Sequence, residues 1–385
     1  MAVLAYLAAV LGTIFWLSGQ PGLAPLFRLT PPVIYAYFVP TLSTTAGILP
    51  ASSPVYDWLT RFLLPLALLL LMVTVDLKSI IKLGRTAVIM VTVGALGIVI
   101  GAQVTFLVFG RWLPVDAWKG LAALSGSWIG GTANMVAIAE SVGTPDAVFG
   151  PVIVVDTMVG YGWMGVLLLL TAWQSRFDLA LGADASAVED TNRRLAELEA
   201  VRHPPDVKDL AVIVGFGLAG SIAAVAVGDR LPTLGDPTII SHTTWAVLIV
   251  VTGGLLLSFT RLRRLEEVGA SRVGYLALYL MLTAIGARGD LVQVLSAPAY
   301  FFAGMLWILV HAVVLTLAAR LLRAPFFFVA TASMANIGGV VTAPIVAGVY
   351  HPAMAPVGLL MAVAGYVLGI YFGLASAWML GMLAG

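Results

Sequence analysis

Apolar segments separated by short polar turns follow one another along the whole chain, and they form two sets of six. A helix needs about 20 apolar residues to cross a bilayer, so the pattern predicts an all-α polytopic membrane protein. The first set covers residues 1–19, 32–50, 61–76, 86–110, 117–140 and 147–172, and the second covers 209–228, 238–258, 271–288, 299–320, 325–348 and 353–382.

The composition excludes several classes of protein. Hydrophobic residues make up 61% of the chain and charged residues only 10%, whereas soluble domains carry about 25% charged residues. The net charge of +1 and the lack of a basic run argue against a nucleic-acid partner. Because the chain has no cysteine, it has no disulfide, no thiolate metal site and no thiol nucleophile.

The start of the chain indicates where the protein is located. Residues 1–19 lack the positively charged region of a secretory signal, so we predict that they form a retained helix. The start is also unlike an arginine-rich transit peptide. Both features favour a multi-pass protein of the cell inner (plasma) membrane in a bacterium or archaeon.

One long polar stretch, residues 174–208, separates the two sets. It has a helical pattern of apolar positions and then a Pro-Pro pair, which is typical of a solvated helix that ends before the next element. We predict a cytoplasmic linker between repeat 1, residues 1–173, and repeat 2, residues 209–385, although a regulatory or partner-binding role is an alternative. The apolar positions are Val188, Leu195, Leu198 and Val201.

Two similar sequence motifs, one in each half of the chain, interrupt apolar segments. SGSWIGGTAN covers residues 125–134 and ASMANIGGVVTA covers 332–343. A glycine pair flanked by hydroxyl and amide side chains is what a helix needs to unwind within a bilayer. After each motif, PVIVVDTMVGY at 151–161 matches PVGLLMAVAGY at 356–366 at its Pro-Val and Gly-Tyr pairs. The chain is therefore predicted to be an internally duplicated transporter.

Each broken helix supplies groups that can bind an anion and groups that can bind a cation. The N-terminus of a half-helix presents free N–H groups to an anion, and the C-terminus of the other half presents carbonyls to a cation. The alternative is that the glycines and small hydroxyls only allow close helix packing. The predicted solute-binding residues are Ser127, Gly130, Gly131, Thr132, Asn134, Asn336, Gly338, Gly339 and Thr342. The predicted sodium ligands are Asp156, Asn134, Thr132, Ser333 and Asn336.

Asp156 is the most informative single residue. It lies near the middle of an apolar element, where a carboxylate costs about 2.5–3.5 kcal/mol on insertion scales. A role as sodium ligand or proton carrier is preferred over that of a hydrogen-bonded structural acid. The corresponding position of repeat 2 is Met361, so the two repeats are functionally unequal.

The orientation depends on whether the broken elements cross the membrane. If they re-enter and leave on one side, the repeats are inverted; if they cross, the repeats are parallel, and both versions satisfy the positive-inside rule. We prefer inverted repeats, which place both termini outside the cytoplasm and put six basic residues inside together. These residues are Lys78, Lys82, Arg85, Arg261, Arg263 and Arg264.

Three sequence segments resemble those of a known family. GSWIGGTANMVAIAESVG at 126–143, ASMANIGGVVTA at 332–343 and AGYVLGIYFG at 364–373 resemble the YjcL-like family of polytopic membrane proteins, which is distantly similar to sodium-coupled glutamate, bile-acid and citrate symporters. The resemblance implies inverted repeats, a scaffold domain, a moving core domain, a homodimer and alternating access. It transfers functional roles to Gly130, Gly131, Asn134, Asp156, Asn336, Gly338 and Gly339.

The sequence therefore predicts a secondary active transporter of a small polar solute, anionic or zwitterionic, and not an enzyme. It needs no cofactor beyond a coupling sodium ion or proton. The core domain would contain residues 117–172 and 325–382 in an elevator-like arrangement, and the scaffold 1–50 and 209–258. A passive channel is one alternative. An intramembrane aspartyl hydrolase using Asp156 and Asp290 is weaker, because the glycine spacing before Asp290 differs from that of such proteases.

Overall fold

The computed structural model describes residues 2–29, 32–77, 80, 83–183, 206–235, 238, 240–288, 297–350 and 354–384. Over these residues the chain forms helices and no strand, apart from one isolated bridge between Leu234 and Ile240. The all-α prediction is confirmed. Most of the predicted linker, together with Lys78, Lys82 and Asp290, lies outside the described residues.

The helices follow the predicted order in both halves. In the first half they are α1 (Ala2–Ser18), α2 (Ala24–Leu29), α3 (Pro32–Thr45), α4 (Pro54–Val73), α5 (Arg85–Phe109), α6 (Ala117–Gly130), α7 (Thr132–Val142), α8 (Asp146–Leu170) and α9 (Gln174–Leu181). In the second half they are α10 (Val207–Gly228), α11 (His242–Leu257), α12 (Ala270–Gly286), α13 (Ala297–Leu322), α14 (Phe326–Ile337), α15 (Gly339–Tyr350) and α16 (Ala355–Ala384).

Helix α4 begins seven residues before the predicted start of its element at residue 61. The Ser53 side chain accepts a hydrogen bond from Val55 N, and Pro54 occupies the first helical position, where its missing N–H is not needed. The added residues, 54–60, include Asp57 and Thr60, so the apolar pattern could not show them. A side-chain cap therefore sets this boundary, and hydrophobicity does not.

Six helical stretches in the described part of the chain are long and apolar enough to cross a membrane. One further pair, Ala2–Ser18 with Pro21–Phe27, passes the same test together and is bent by 86°. The multi-pass prediction is therefore supported. The six stretches are Pro54–Val73, Arg85–Trp112, Asp146–Ala180, Val207–Gly228, Pro298–Leu322 and Ala355–Ala384.

The chain folds into two compact units. The first contains residues 1–74, 140–157 and 202–298, and the second contains 75–139, 158–201 and 299–385. Helix α8 contributes its first part to one unit and its second part to the other.

In the first unit, α4 packs against α10, α11 and α12. Close approach depends on small residues, because a Cβ on Gly254 would lie 2.7 Å from Met72 Cβ. The Ser221 hydroxyl donates to Phe62 O at 2.6 Å. At the end of α12, the Arg288 guanidinium forms an ion pair with Asp57. Helix α4 is thus the centre of this unit.

In the second unit, α16 packs against α5, α6, α14 and α15. A row of glycines lets it approach α6 closely. A Cβ on Gly369 would lie 2.8 Å from Gly130 Cα, and a Cβ on Gly373 would lie 3.3 Å from Gly126 Cα. This spacing of small residues allows backbones to meet in a membrane protein. Helix α16 therefore links both broken helix pairs.

Candidate functional site at the two helix breaks

The first break is a single residue, Gly131, between α6 and α7. Its φ of 80° and ψ of 179° are accessible to glycine but strained for other residues. Its N–H donates to Ser127 O at 2.7 Å, and its carbonyl accepts from Asn134 N at 3.0 Å. The second glycine of the pair is therefore the one that breaks the helix.

Helix α7 runs back alongside α6 after this break. A Cβ on Gly126 would lie 2.8 Å from Asn134 O and 2.9 Å from Ile138 Cγ1. Residues eight and twelve positions apart are more than 10 Å apart along a continuous helix, because each residue advances the helix by about 1.5 Å. The break therefore reverses the chain and does not merely bend it.

The second break lies between α14 and α15. Gly338 ends α14 with its N–H bonded to Met334 O at 2.9 Å, and Gly339 begins α15 with a φ of 64°. Again the positive φ falls on the second glycine. Both predicted breaks are therefore present, and in both the second glycine of the pair has a positive φ.

The side chain of Tyr366, on α16, lies beside both breaks. Its ring carbon Cε1 would lie 2.8 Å from a Cβ on Gly131 and 3.9 Å from one on Gly339. Its hydroxyl would lie 3.5 Å and 3.9 Å from the same two positions. Tyr366, Gly131 and Thr132 are all partly exposed. The two breaks therefore converge on one aromatic side chain, and this place is partly exposed.

Each break also carries a buried oxygen without a partner among the described residues. Asn134, only 1% exposed, donates from Nδ2 to Gly130 O at 2.9 Å and to Tyr366 O at 3.2 Å, but its Oδ1 accepts no hydrogen bond. Thr342, 3% exposed, has an unbonded Oγ1. Both lie in the first turn of a half-helix. Buried oxygens left without a donor are uncommon and often mark functional positions.

Ser333 and Asn336 hold α14 to neighbouring helices. Asn336, with its amide oriented to satisfy its neighbours, donates from Nδ2 to Ala332 O at 3.0 Å and to Val91 O at 3.3 Å. Ser333 Oγ accepts from Trp163 Nε1 at 2.8 Å and lies 3.0 Å from His311 Nε2. These side chains thus make structural contacts with α5, α8 and α13, and their role as ligands stays a prediction.

The direction of each hydrogen bond around His311 follows from the groups at the two ends of the chain of bonds, a carbonyl that can only accept and an indole N–H that can only donate. His311 Nδ1 lies 3.0 Å from Gly94 O, and a carbonyl can only accept, so Nδ1 carries the proton of the neutral ring. Nε2 then accepts from the Ser333 hydroxyl, which in turn accepts from Trp163. His311 is fully buried, as expected for a hydrogen-bonded packing residue.

Asp156 lies in the part of α8 that belongs to the first unit, and it is partly exposed. The other predicted ligands all belong to the second unit. The structure therefore gathers the break residues in one unit, and the coupling role of Asp156 stays a prediction.

Two residues of this region were missed by sequence reasoning. Trp163 donates to Ser333, and Tyr366 lies beside both glycine breaks. The sequence did mark Tyr366, because this residue is part of the Gly-Tyr pair repeated at 160–161 and 365–366. The pair marked the duplication, but its position beside the breaks is visible only in three dimensions.

One known protein family matches nearly the whole chain. The family described as "Protein of unknown function (DUF819)" matches residues 5–383. The chain belongs to this family. Among curated relatives, "Uncharacterized membrane protein YjcL" of Bacillus subtilis (strain 168) is 25% identical over 369 residues, which cover 93% of this chain and 92% of the relative. The predicted resemblance to a YjcL-like family is confirmed, and membership extends over nearly the whole chain, including both breaks.

Proposed function

We propose that the protein is a secondary active transporter that moves a small polar solute, anionic or zwitterionic, by alternating access coupled to sodium or protons. The observation that carries the proposal is the convergence of two glycine-broken helices on Tyr366. Broken helices that meet in this way are typical of inverted-repeat transporters. A packing role alone would not require positive φ angles at both breaks.

The groups at the convergence suit a solute and an ion together. The first turns of α7 and α15 offer backbone N–H groups to an anionic part of the solute. Asn134 Oδ1 and Thr342 Oγ1 are neutral oxygens without partners in the described structure, and such oxygens are suitable ligands for a hard cation or a donor group. Asp156, which belongs to the first unit and is not one of the groups at the convergence, is the proposed coupling carboxylate, as sodium ligand or proton carrier.

The division of the chain into two units supports separate roles for them in transport. The second unit holds both breaks and is the proposed moving core, while the first contains α1, α3, α10 and α11 and is the proposed scaffold and dimer surface. The reversal at Gly131 favours a re-entrant first break, and hence inverted repeats, over a fully crossing element. Under this arrangement both termini lie outside the cytoplasm.

Accessibility from the two sides of a membrane tests alternating access. The natural chain has no cysteine, so Thr132→Cys creates a single reporter at the first break. The variant is placed in proteoliposomes and treated with a membrane-impermeant maleimide from outside or inside, in sodium or choline and at two pH values. A matched control is Val115→Cys, since Val115 is 92% exposed in a loop and should react from one side under all conditions.

The proposal predicts that labelling at position 132 shifts from one side to the other when the ion changes, and that Asp156→Asn removes this shift. Equal labelling from both sides in every condition would instead identify a channel. Labelling from neither side would contradict an accessible site at the break.

A further inference from the structure

A cavity of about 570 Å³, wide open at the molecular surface, lies in the first unit, where the start of α10 meets the 3₁₀ turn Arg261–Glu266 that follows α11. It is distinct from the helix breaks, which belong to the second unit. Its lining residues are Asp209, Thr260, Arg261, Leu262, Arg264, Leu265 and Val268.

The three-residue repeat of the 3₁₀ turn explains which side chains line this cavity. The Thr260 side chain caps the turn by accepting from Leu262 N at 3.2 Å. In a 3₁₀ helix, residues three apart lie directly above one another. Arg261 and Arg264 therefore form one ridge, and Leu262 and Leu265 form the next, which Val268 extends. Two guanidinium groups and an apolar wall consequently line the same cavity.

The charges of the cavity favour a ligand with a single negative charge. Arg261 and Arg264 are exposed, and neither forms an ion pair with any described residue. Asp209 is occupied in the capping box of α10, where its carboxylate accepts from Asp206 N at 3.1 Å. Two arginines and one aspartate leave one net positive charge. This charge complements a phosphodiester.

The position favours a lipid over a soluble anion. Helix α10 is a candidate membrane span that starts at Val207, and apolar side chains near the cavity are exposed, with Val207 at 84% and Phe259 at 59%. The cavity therefore lies at the end of a spanning helix, at the level where lipid headgroups are found. Basic pockets at this level are known to bind phospholipid headgroups.

We propose that this cavity binds the phosphodiester of a membrane phospholipid, with Arg261 and Arg264 on the phosphate and Leu262, Leu265 and Val268 against the glycerol and first acyl carbons. The site is independent of the transport proposal, since none of its residues lies at the helix breaks.

Thermal stability in detergent tests the site in the full-length protein. The melting temperature is titrated with dioleoylphosphatidylglycerol, with dioleoylglycerol, which lacks the phosphate, and with inorganic phosphate. The variants are Arg261→Gln/Arg264→Gln and, as a matched control, Arg263→Gln, whose side chain belongs to the same turn but does not line the cavity.

The phospholipid should raise the melting temperature in a saturable way, because it binds the folded state. The double variant should bind it about 30-fold more weakly, since each surface arginine contributes roughly a fivefold gain in affinity for anionic lipid. Arg263→Gln should bind as the natural chain does. An equal rise with dioleoylglycerol or with inorganic phosphate would overturn the assignment, as would a double variant that binds like the natural chain.

Discussion

The ring of Tyr366 lies against Gly131, with its carbon Cε1 2.8 Å from the position that a Cβ on the glycine would occupy. The same ring carbon is 3.9 Å from the corresponding position on Gly339. One side chain of α16 therefore lies beside both helix breaks, although the two glycines come from different halves of the chain. This position connects the internal duplication to a single site.

Gly131→Ala should destabilise the protein by about 1–3 kcal/mol, because a φ of 80° with a ψ of 179° is strained for alanine. The contact with Tyr366 would add to this cost. Gly165→Ala in α8 is the control, since a Cβ there meets no atom within 4 Å, and it should leave stability unchanged or slightly raised. Melting temperatures of the two variants check this. Equal melting temperatures would show that the break tolerates a side chain.

Gly369→Ala tests the packing of α16 on α6. Its Cβ would lie 2.8 Å from Gly130 Cα, and backbone cannot move aside as a flexible side chain can, so we expect a loss of about 1–3 kcal/mol. Gly348→Ala is the matched control, because its nearest neighbour, Ala355 Cβ, is at an ordinary 3.6 Å. Chemical or thermal unfolding measures both. A neutral Gly369→Ala would contradict the close approach of the two helices.

The Thr342→Val variant distinguishes a role of the Thr342 hydroxyl in stability from a role in ligand binding. The Thr342 hydroxyl is buried without a partner among the described residues, so an isosteric valine should leave the apo protein as stable or more stable. Thr41→Val should instead lose about 1 kcal/mol, because the Thr41 hydroxyl lies 2.7 Å from Gly286 O and 2.9 Å from Tyr37 O.

The same Thr342→Val protein should then respond more weakly to the coupling ion in a melting assay. A variant that loses stability without ligand but keeps its full ion response would show that the hydroxyl is structural.

Ser333→Ala should cost about 1–3 kcal/mol, because it leaves the buried His311 Nε2 and the partly buried Trp163 Nε1 without their partner. Trp163→Phe removes one of these groups. The double variant should therefore lose less stability than the sum of the two single variants, with a coupling free energy of about 1 kcal/mol. Unfolding of the four proteins measures it. Strict additivity would mean that the hydrogen bond contributes nothing.

The sequence predicted the helices and both breaks, because each depends on local signals. Apolar length marks the helices, and an Ile-Gly-Gly phrase marks each break. The exact break residue was not predicted, since either glycine of a pair can adopt a positive φ. The structure assigns it to Gly131 and Gly339. The early start of α4 was missed because Ser53 and Pro54 determine it, and their effect is independent of hydrophobicity.

Contacts between distant segments could not be predicted. Ser333 and Asn336 have the chemistry of ligands in the sequence, but in the structure they bond to α5, α8 and α13. Gly130 serves the close packing that the sequence left open as an alternative, while Gly131 makes the break. Residue type shows what a side chain can do, whereas its partners depend on how the helices pack.

Ion-coupled transport is tested most directly by the melting temperature of the detergent-purified protein in sodium and in choline over a range of pH, with Asp156→Asn and the control Asp116→Asn. Asp116 pairs with Lys119 near the start of α6, away from the breaks. We expect a rise that is specific to sodium, or one that follows pH if protons are the coupling ion. This rise should be lost in Asp156→Asn and kept in Asp116→Asn. A natural protein that melts at the same temperature in both salts and at every pH would contradict ion-coupled transport.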